Sequence, residues 1–260
     1  MIDEETEHDF NEDASFDDVI ARYSFDRSLR LILFDAIEII EVALRTKIIN
    51  HLSQSTGSGL WYLDESLFEK KVYYEDMILD LKHEFERSTE PFAKEYIAMH
   101  TNWDSESMDG DNPDAWMLLE VATFGTLSKM YKNLKSQLPQ RATIANEFGL
   151  YSVRELSSWL EAISVLRNII AHHSRLWNRS LAKQPTNIKG HRDKWLNTPF
   201  TENQKKKPYG VVTAMLYLCD AVCPENQIKS KILSLLDNNK GISYVKLGFT
   251  GNWRNEPIWK

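Results

Sequence analysis

The sequence has little cysteine, glycine or proline. Two cysteines cannot form a disulfide framework, so a reducing compartment is expected. Ten glycines and eight prolines in 260 residues are too few for a collagen-like, low-complexity or many-turned all-β chain. These scarcities favour a helical protein, and we expect an all-α fold.

Long apolar runs are also missing. The longest, residues 211–219, has nine residues including one threonine, whereas about 20 are needed to cross a bilayer. Residues 1–18 lack the basic start and apolar stretch of a signal peptide. We therefore expect a cytoplasmic protein with no membrane partner.

Several familiar site motifs are absent. The sequence has no glycine-rich phosphate loop, no HExxH and no CxxC. Cys219 and Cys223 are spaced for one helix, but a zinc site would need two further ligands that the sequence does not place. No metal and no cofactor are expected.

The net charge of −7 is unevenly distributed. Residues 1–18 contain nine acids and no lysine or arginine, so the rest of the chain is nearly neutral. We predict a disordered acidic tail over residues 1–15 and a single domain over residues 16–260. In contrast, residues 167–207 contain ten lysines and arginines against two acids.

Two long segments have the apolar spacing of helices. Arg27 to Leu52 contains no glycine or proline, and Ser24 or Asp26 is a candidate cap for it. Val153 to His172 has an apolar stripe at i, i+3, i+4 and i+7. Residues 241–260 are expected to be extended and held by their aromatic side chains.

Polar groups are concentrated at the end of the second helix, in the segment LRNIIAHHSRLWNR, residues 166–179. Arginine supplies a permanent charge and fork-shaped donors for phosphate, and histidine can move a proton near neutral pH. Metal-free RNA cleavage needs both functions, because the ribose 2′-OH must be deprotonated and charge on the phosphate must be neutralised. A structural polar cluster is the alternative.

Helix geometry constrains how these groups can act together. Arg167 and His172 are about 140° apart on a regular helix, whereas Asn168 and His172 face the same way. Arg167 therefore meets His172 only if the helix distorts or if a second copy of the motif faces it. A homodimer would bring two arginines and two histidines into one cleft.

Four ordered blocks carry a family resemblance: residues 23–45, 113–125, 166–179 and 247–259. Together they resemble the Abi-like (AbiD/AbiF type) family of bacterial abortive-infection proteins. Arg167 to His172 also matches the RX4–6H motif of the HEPN superfamily. The resemblance implies a HEPN-like helical bundle with extra helices and an extended aromatic C-terminal segment.

The resemblance also implies a function. The expected protein is a dimeric, metal-independent endoribonuclease of a phage-defence or toxin system, with Arg167 and His172 as its catalytic pair. Asn168 and His173 would support them, and an antitoxin or small regulatory RNA is a possible partner. The secondary RNA contacts would be Arg175, Asn178 and Arg179. Independently of the resemblance, the basic stretch after the motif predicts phosphate contacts at Lys205, Lys206 and Lys207.

Two other classes of function stay open. The same residues could grip a structured or small RNA without cutting it, or the polar cluster could serve dimerisation alone. The basic residues could form a solvated face rather than an RNA-binding patch. Trp116 and Trp159 are expected in the core or at a dimer interface, and Trp177 could lie either there or beside the site as a base-stacking platform.

Overall fold

A computed structural model describes residues 15–100, 111–190 and 194–260. These residues form ten α-helices and contain no β-strand, which confirms the all-α prediction. The helices are α1 Phe16–Thr56, α2 Lys71–Glu86, α3 Pro91–Met99, α4 Ala115–Glu120, α5 Phe124–Asn133, α6 Pro139–Glu147, α7 Val153–Ala171, α8 Glu202–Lys206, α9 Pro208–Val222 and α10 Ile228–Asn238.

Helix α1 is the axis around which the others pack. It contacts α4, α5, α6, α7, α9 and α10 along its 41 residues. Its buried side chains recur every three or four residues, as expected for a helix with one face in the core: Leu29, Leu33, Ala36, Ile40, Leu44, Ile48 and Leu52. Helix α9 packs against α1 and α7 and is buried over residues 208–219.

Helix α1 starts earlier than the sequence pattern indicated. The Ser15 hydroxyl accepts a hydrogen bond from the Asp18 amide, and the Asp18 side chain accepts one from the Ser15 amide, so the two residues form a capping box. The predictions of Ser24 and Asp26 as caps were wrong, because both lie inside the helix. The predicted acidic tail otherwise lies outside the described residues.

The C-terminal segment is held by aromatic contacts, as the sequence suggested, but the prediction that it is extended was wrong, because much of it is coiled into short turns. After α10 the chain makes three single turns of 3₁₀ helix, at Tyr244–Leu247, Trp253–Asn255 and Pro257–Trp259. Phe249, Trp253 and Trp259 are buried and contact one another edge to face. This cluster lies against Tyr209 of α9 and fixes the segment to the helical body.

The tryptophan predictions had mixed outcomes. Trp159 is fully buried, and its indole N–H donates to the Thr186 carbonyl. Trp116 is 57% exposed, so it does not lie in the core of the chain, and of the two predicted places only a dimer interface is left for it. Helix α4 has only six residues and buries Leu118 and Leu119 instead.

Candidate active site

Helix α7 presents the Arg167–His172 motif at its C-terminal end. The helix begins after Ser152, whose hydroxyl accepts from the Glu155 amide, and it stays regular to Ala171. Its apolar stripe is buried at Leu156, Leu160, Ile163, Leu166 and Ile170. Arg167 is half-buried, whereas Asn168 and His172 are exposed. The helix is not distorted, so Arg167 and His172 remain on different faces.

The helix ends in a Schellman motif built without glycine. The His173 amide donates to the Ile170 carbonyl at 2.9 Å, and the Ser174 amide donates to the Ile169 carbonyl at 3.0 Å. This closure places His173 in the left-handed region, at a φ of 54°. Glycine usually occupies that position, because a side chain there costs about 1 kcal/mol or more.

We expect His173→Gly to raise the free energy of unfolding by about 1 kcal/mol, because glycine adopts this backbone conformation without strain. His173→Ala removes the same imidazole but keeps the strain, so its stability should stay at or below that of the wild type. Urea unfolding of the three proteins measures the difference. A glycine variant no more stable than the alanine variant would show that the left-handed conformation is not a source of strain.

The loop after α7 is tied to α1 by Asp26. The Asp26 Oδ1 atom accepts from the amides of Leu176 and Trp177 at 2.9 and 2.7 Å. Its Oδ2 atom accepts from Nε of Arg30 at 3.2 Å, and both side chains are buried. Asp26 therefore fixes the position of residues 174–177 relative to the first helix.

A cavity of about 490 Å³ lies between α1 and the end of α7, and we call it the motif cavity. Arg167 and His173 both line it, and His172 does not. Five residues separate Arg167 from His173, one more than separate it from His172. The lining is arginine-rich and otherwise mostly apolar: Tyr23, Arg27, Arg30, Leu31, Phe34, Arg167, Ile170, Ala171 and His173.

A second cavity, of about 340 Å³, adjoins the motif cavity and is called here the tryptophan cavity. The two share Tyr23, Arg30 and His173. Its remaining lining comes from α1 and from the loop after α7: Val19, Arg22, Asp26, Arg175 and Trp177.

A third cavity, of about 490 Å³, lies among α2, α5 and α7, and we call it the lysine cavity. Arg167 lines it as well as the motif cavity, and Asn168 lines it too. Glu161 pairs there with Lys132 at 2.9 Å and with Lys183 at 2.7 Å. Partial burial opposes ionisation, but the two lysines hold the pKa of the Glu161 carboxyl below its usual range.

Glu41 connects Arg167 with the middle of α1. Its carboxylate accepts a hydrogen bond from Arg45 at 2.9 Å, and Arg167 lies close enough to attract it. Burial raises the pKa of the Glu41 carboxyl above its usual range in spite of both arginines. Arg167 therefore lies near a carboxyl group whose ionised form is disfavoured by burial.

The predicted RNA-contacting residues divide into two groups. Arg175 lines the tryptophan cavity, and Arg179 donates to the Arg175 carbonyl at 3.3 Å. Asn178, at a φ of 58°, is 3.3 Å from the Lys207 ammonium through its side-chain oxygen. These four side chains therefore lie at or near the motif.

Lys205 and Lys206 lie on α8, and Lys205 pairs with Glu202 at 2.7 Å. The Lys206 carbonyl accepts a hydrogen bond from the Leu181 amide at 2.7 Å. This bond fixes α8 to Leu181, which follows the loop after α7. The pair with Glu202 offsets part of the positive charge that the sequence suggested for this stretch.

Sequence reasoning missed the contribution of α1. Arg22, Arg27 and Arg30 line the two cavities at the motif, together with Tyr23. Positions 23, 27, 30 and 34 have the spacing of a single helix face, so the signal was present in the sequence. The position of that face against α7 depends on contacts between residues about 150 apart and could not be read locally.

Across residues 15–100, 111–190 and 194–260, no group of three or more His, Cys, Asp or Glu side chains is arranged to hold a metal ion. In the same portion, no helix is long and apolar enough to span a membrane.

Comparison with known proteins gives one match. The family model described as Abi-like protein matches residues 1–178, which include the acidic N-terminal segment and the whole motif. The match ends before residues 247–259, which the sequence resemblance had included. Neither the curated proteins nor the solved structures contain a match.

Proposed function

Because the chain belongs to the Abi-like protein family, an abortive-infection type of protein, we propose that it is a metal-independent endoribonuclease of the HEPN superfamily. The observation that carries this proposal is the motif cavity, which Arg167 and His173 both line at the end of α7. Arg27 adds positive charge to the same cavity, and Arg30 lines it with its charge balanced by Asp26. A cytoplasmic role in phage defence or growth arrest fits the family.

The proposed reaction is an attack of the ribose 2′-OH on the adjacent phosphorus. His172 takes the 2′-OH proton, the 2′-oxygen bonds to phosphorus, and the 5′-oxygen leaves with a proton from the solvent or from His173. Arg167 offsets the charge on the phosphate oxygens. The products are a 2′,3′-cyclic phosphate and a 5′-hydroxyl. Asn168 would orient His172, since the two lie on the same helix face.

A homodimer is part of the proposal, because one copy does not bring Arg167 and His172 together. The regular course of α7 keeps them on different faces, and only Arg167 lines the motif cavity. Leu31 and Phe34, which are 57% and 47% exposed, form an apolar wall of that cavity. A second copy packed on this wall would bury the two side chains and supply its own His172 to Arg167.

Mixing two inactive variants tests the shared site. In a dimer of Arg167→Ala with His172→Ala, one of the two sites keeps both residues, so random mixing should restore about a quarter of wild-type cleavage. Dilution of the mixture should remove the recovered activity as the dimer dissociates. Mixed dimers that form but recover no cleavage would contradict a site shared between copies.

The nuclease proposal itself is tested with total RNA and purified wild-type protein in excess EDTA. We expect cleavage to continue in EDTA. Cleavage that requires added divalent metal would contradict the proposal. No cleavage, together with RNA that copurifies with the protein, would favour the alternative of a non-catalytic RNA-binding module that holds a small or structured RNA. No cleavage and no bound RNA would contradict both the nuclease and the RNA-binding module, and would favour a polar cluster that serves dimerisation alone.

A further inference from the structure

We propose that the tryptophan cavity is a nucleobase subsite, which binds the base of a nucleotide next to the cut. This inference rests on the proposed function, because it assigns the ligand as single-stranded RNA. The cavity shares His173 with the motif cavity, so a nucleotide bound there lies beside the cavity that Arg167 lines. Its volume is about 340 Å³. Pockets that bind small ligands have volumes of about 300–1,000 Å³, so this cavity is near the lower limit.

Two aromatic side chains, Tyr23 and Trp177, line the cavity. Trp177 is partly buried, and its indole N–H already donates to the Ser243 carbonyl at 3.2 Å. That bond uses the polar group of the side chain, so the ring face is what remains for a ligand. Tyr23 lines the same cavity and is 62% exposed. A base between or against two such rings gains stacking energy whatever its identity.

The charges of the cavity suit a phosphate-linked ligand. Arg22, Arg30 and Arg175 line it, and the guanidinium of Arg22 lies 5.7 Å from the centre of the Trp177 ring. Among the described residues that line it, Asp26 is the only acid. Its two oxygens already accept from Arg30 and from the loop amides, so it does not face the ligand as a bare charge. Aromatic faces surrounded by guanidinium groups are typical of single-stranded nucleic-acid sites.

The loop that carries Trp177 is also fixed before a ligand arrives. Asp26 holds the Leu176 and Trp177 amides, and Ser243 holds the indole ring. A side chain fixed at both backbone and ring loses little freedom on binding. Trp177 is therefore held in place before binding, as the proposed subsite requires.

The test measures binding without cleavage. A labelled 2′-O-methyl oligonucleotide, which cannot be cut, is compared by fluorescence anisotropy with an abasic oligomer of equal length. Tyr23→Ala and Trp177→Leu should each weaken binding of the base-containing oligomer by about 5- to 150-fold and leave the abasic oligomer unaffected. Trp116→Ala is the control, because Trp116 is also exposed but does not line the cavity.

Several results would overturn the subsite. One is an equal loss on both oligomers. Another is no loss with Tyr23→Ala, a variant that keeps the fold because Tyr23 is 62% exposed. A wild type that cuts RNA but binds both oligomers equally overturns the subsite alone. A wild type that binds bases selectively but never cuts keeps the subsite and overturns the nuclease. A protein that binds neither oligomer overturns both.

Discussion

Replacing Arg167 or His172 with alanine is expected to lower RNA cleavage by about 10²- to 10⁴-fold, the range typical of lost proton transfer or lost charge stabilisation. Arg167 lines both the motif cavity and the lysine cavity, so it stands where a phosphate entering from either side would pass. His173→Ala should have a smaller effect, because His173 is proposed to support the reaction and not to begin it. Single-turnover cleavage in EDTA gives these ratios.

Binding and cleavage should separate in these variants. RNA affinity should fall little, because Arg27, Arg30 and Arg175 still line the cavities. Arg167→Lys should recover only part of the activity, since an ammonium group cannot donate in the fork geometry of guanidinium. Arg154→Ala is the matched control, because Arg154 is exposed at the other end of α7. Equal losses in the control would show that the effect is not specific to the motif.

Removal of the Asp26 carboxylate is expected to destabilise the protein by about 3–5 kcal/mol. Asp26→Ala leaves the buried Arg30 without its carboxylate and leaves two loop amides without their acceptor. This is a large part of the 5–15 kcal/mol that typically separates folded and unfolded states. Urea unfolding measures the loss, and an expected second effect is weaker RNA binding as residues 174–177 become free.

Asp35 provides the comparison for this prediction. It lies on the same helix and pairs with Lys231 at 2.6 Å, but both side chains are exposed. Asp35→Ala should therefore change stability by no more than about 1 kcal/mol. If Asp26→Ala costs no more than Asp35→Ala, the buried carboxylate does not organise the loop as described.

The sequence was sufficient where the pattern is local. Helix α7 was predicted over Val153–His172 and ends one residue earlier. The prediction succeeded because the apolar stripe lies within the helix itself. The aromatic anchoring of the C-terminal segment was predicted from composition alone. The left-handed His173 could not be foreseen, since a glycine is the usual signal for that helix ending and none is present.

The sequence was insufficient where partners are distant. Asp26 looked like a helix cap because aspartate is common there, but it lies within α1 and binds amides about 150 residues away. Trp116 looked like a core residue, but a helix of six residues does not show from its pattern which side is buried. The arginines of α1 become part of the candidate site only because α1 packs against α7.

The most direct test of the account uses a DNA oligonucleotide that contains a single ribonucleotide, incubated with wild-type protein in EDTA. The account predicts one cut, on the 3′ side of the ribose, with a 2′,3′-cyclic phosphate and a 5′-hydroxyl identified by mass spectrometry. The all-DNA oligonucleotide should stay intact, because it has no 2′-OH to attack. Cutting of the all-DNA strand, or ends with a 5′-phosphate and a 3′-hydroxyl, would contradict the proposed chemistry.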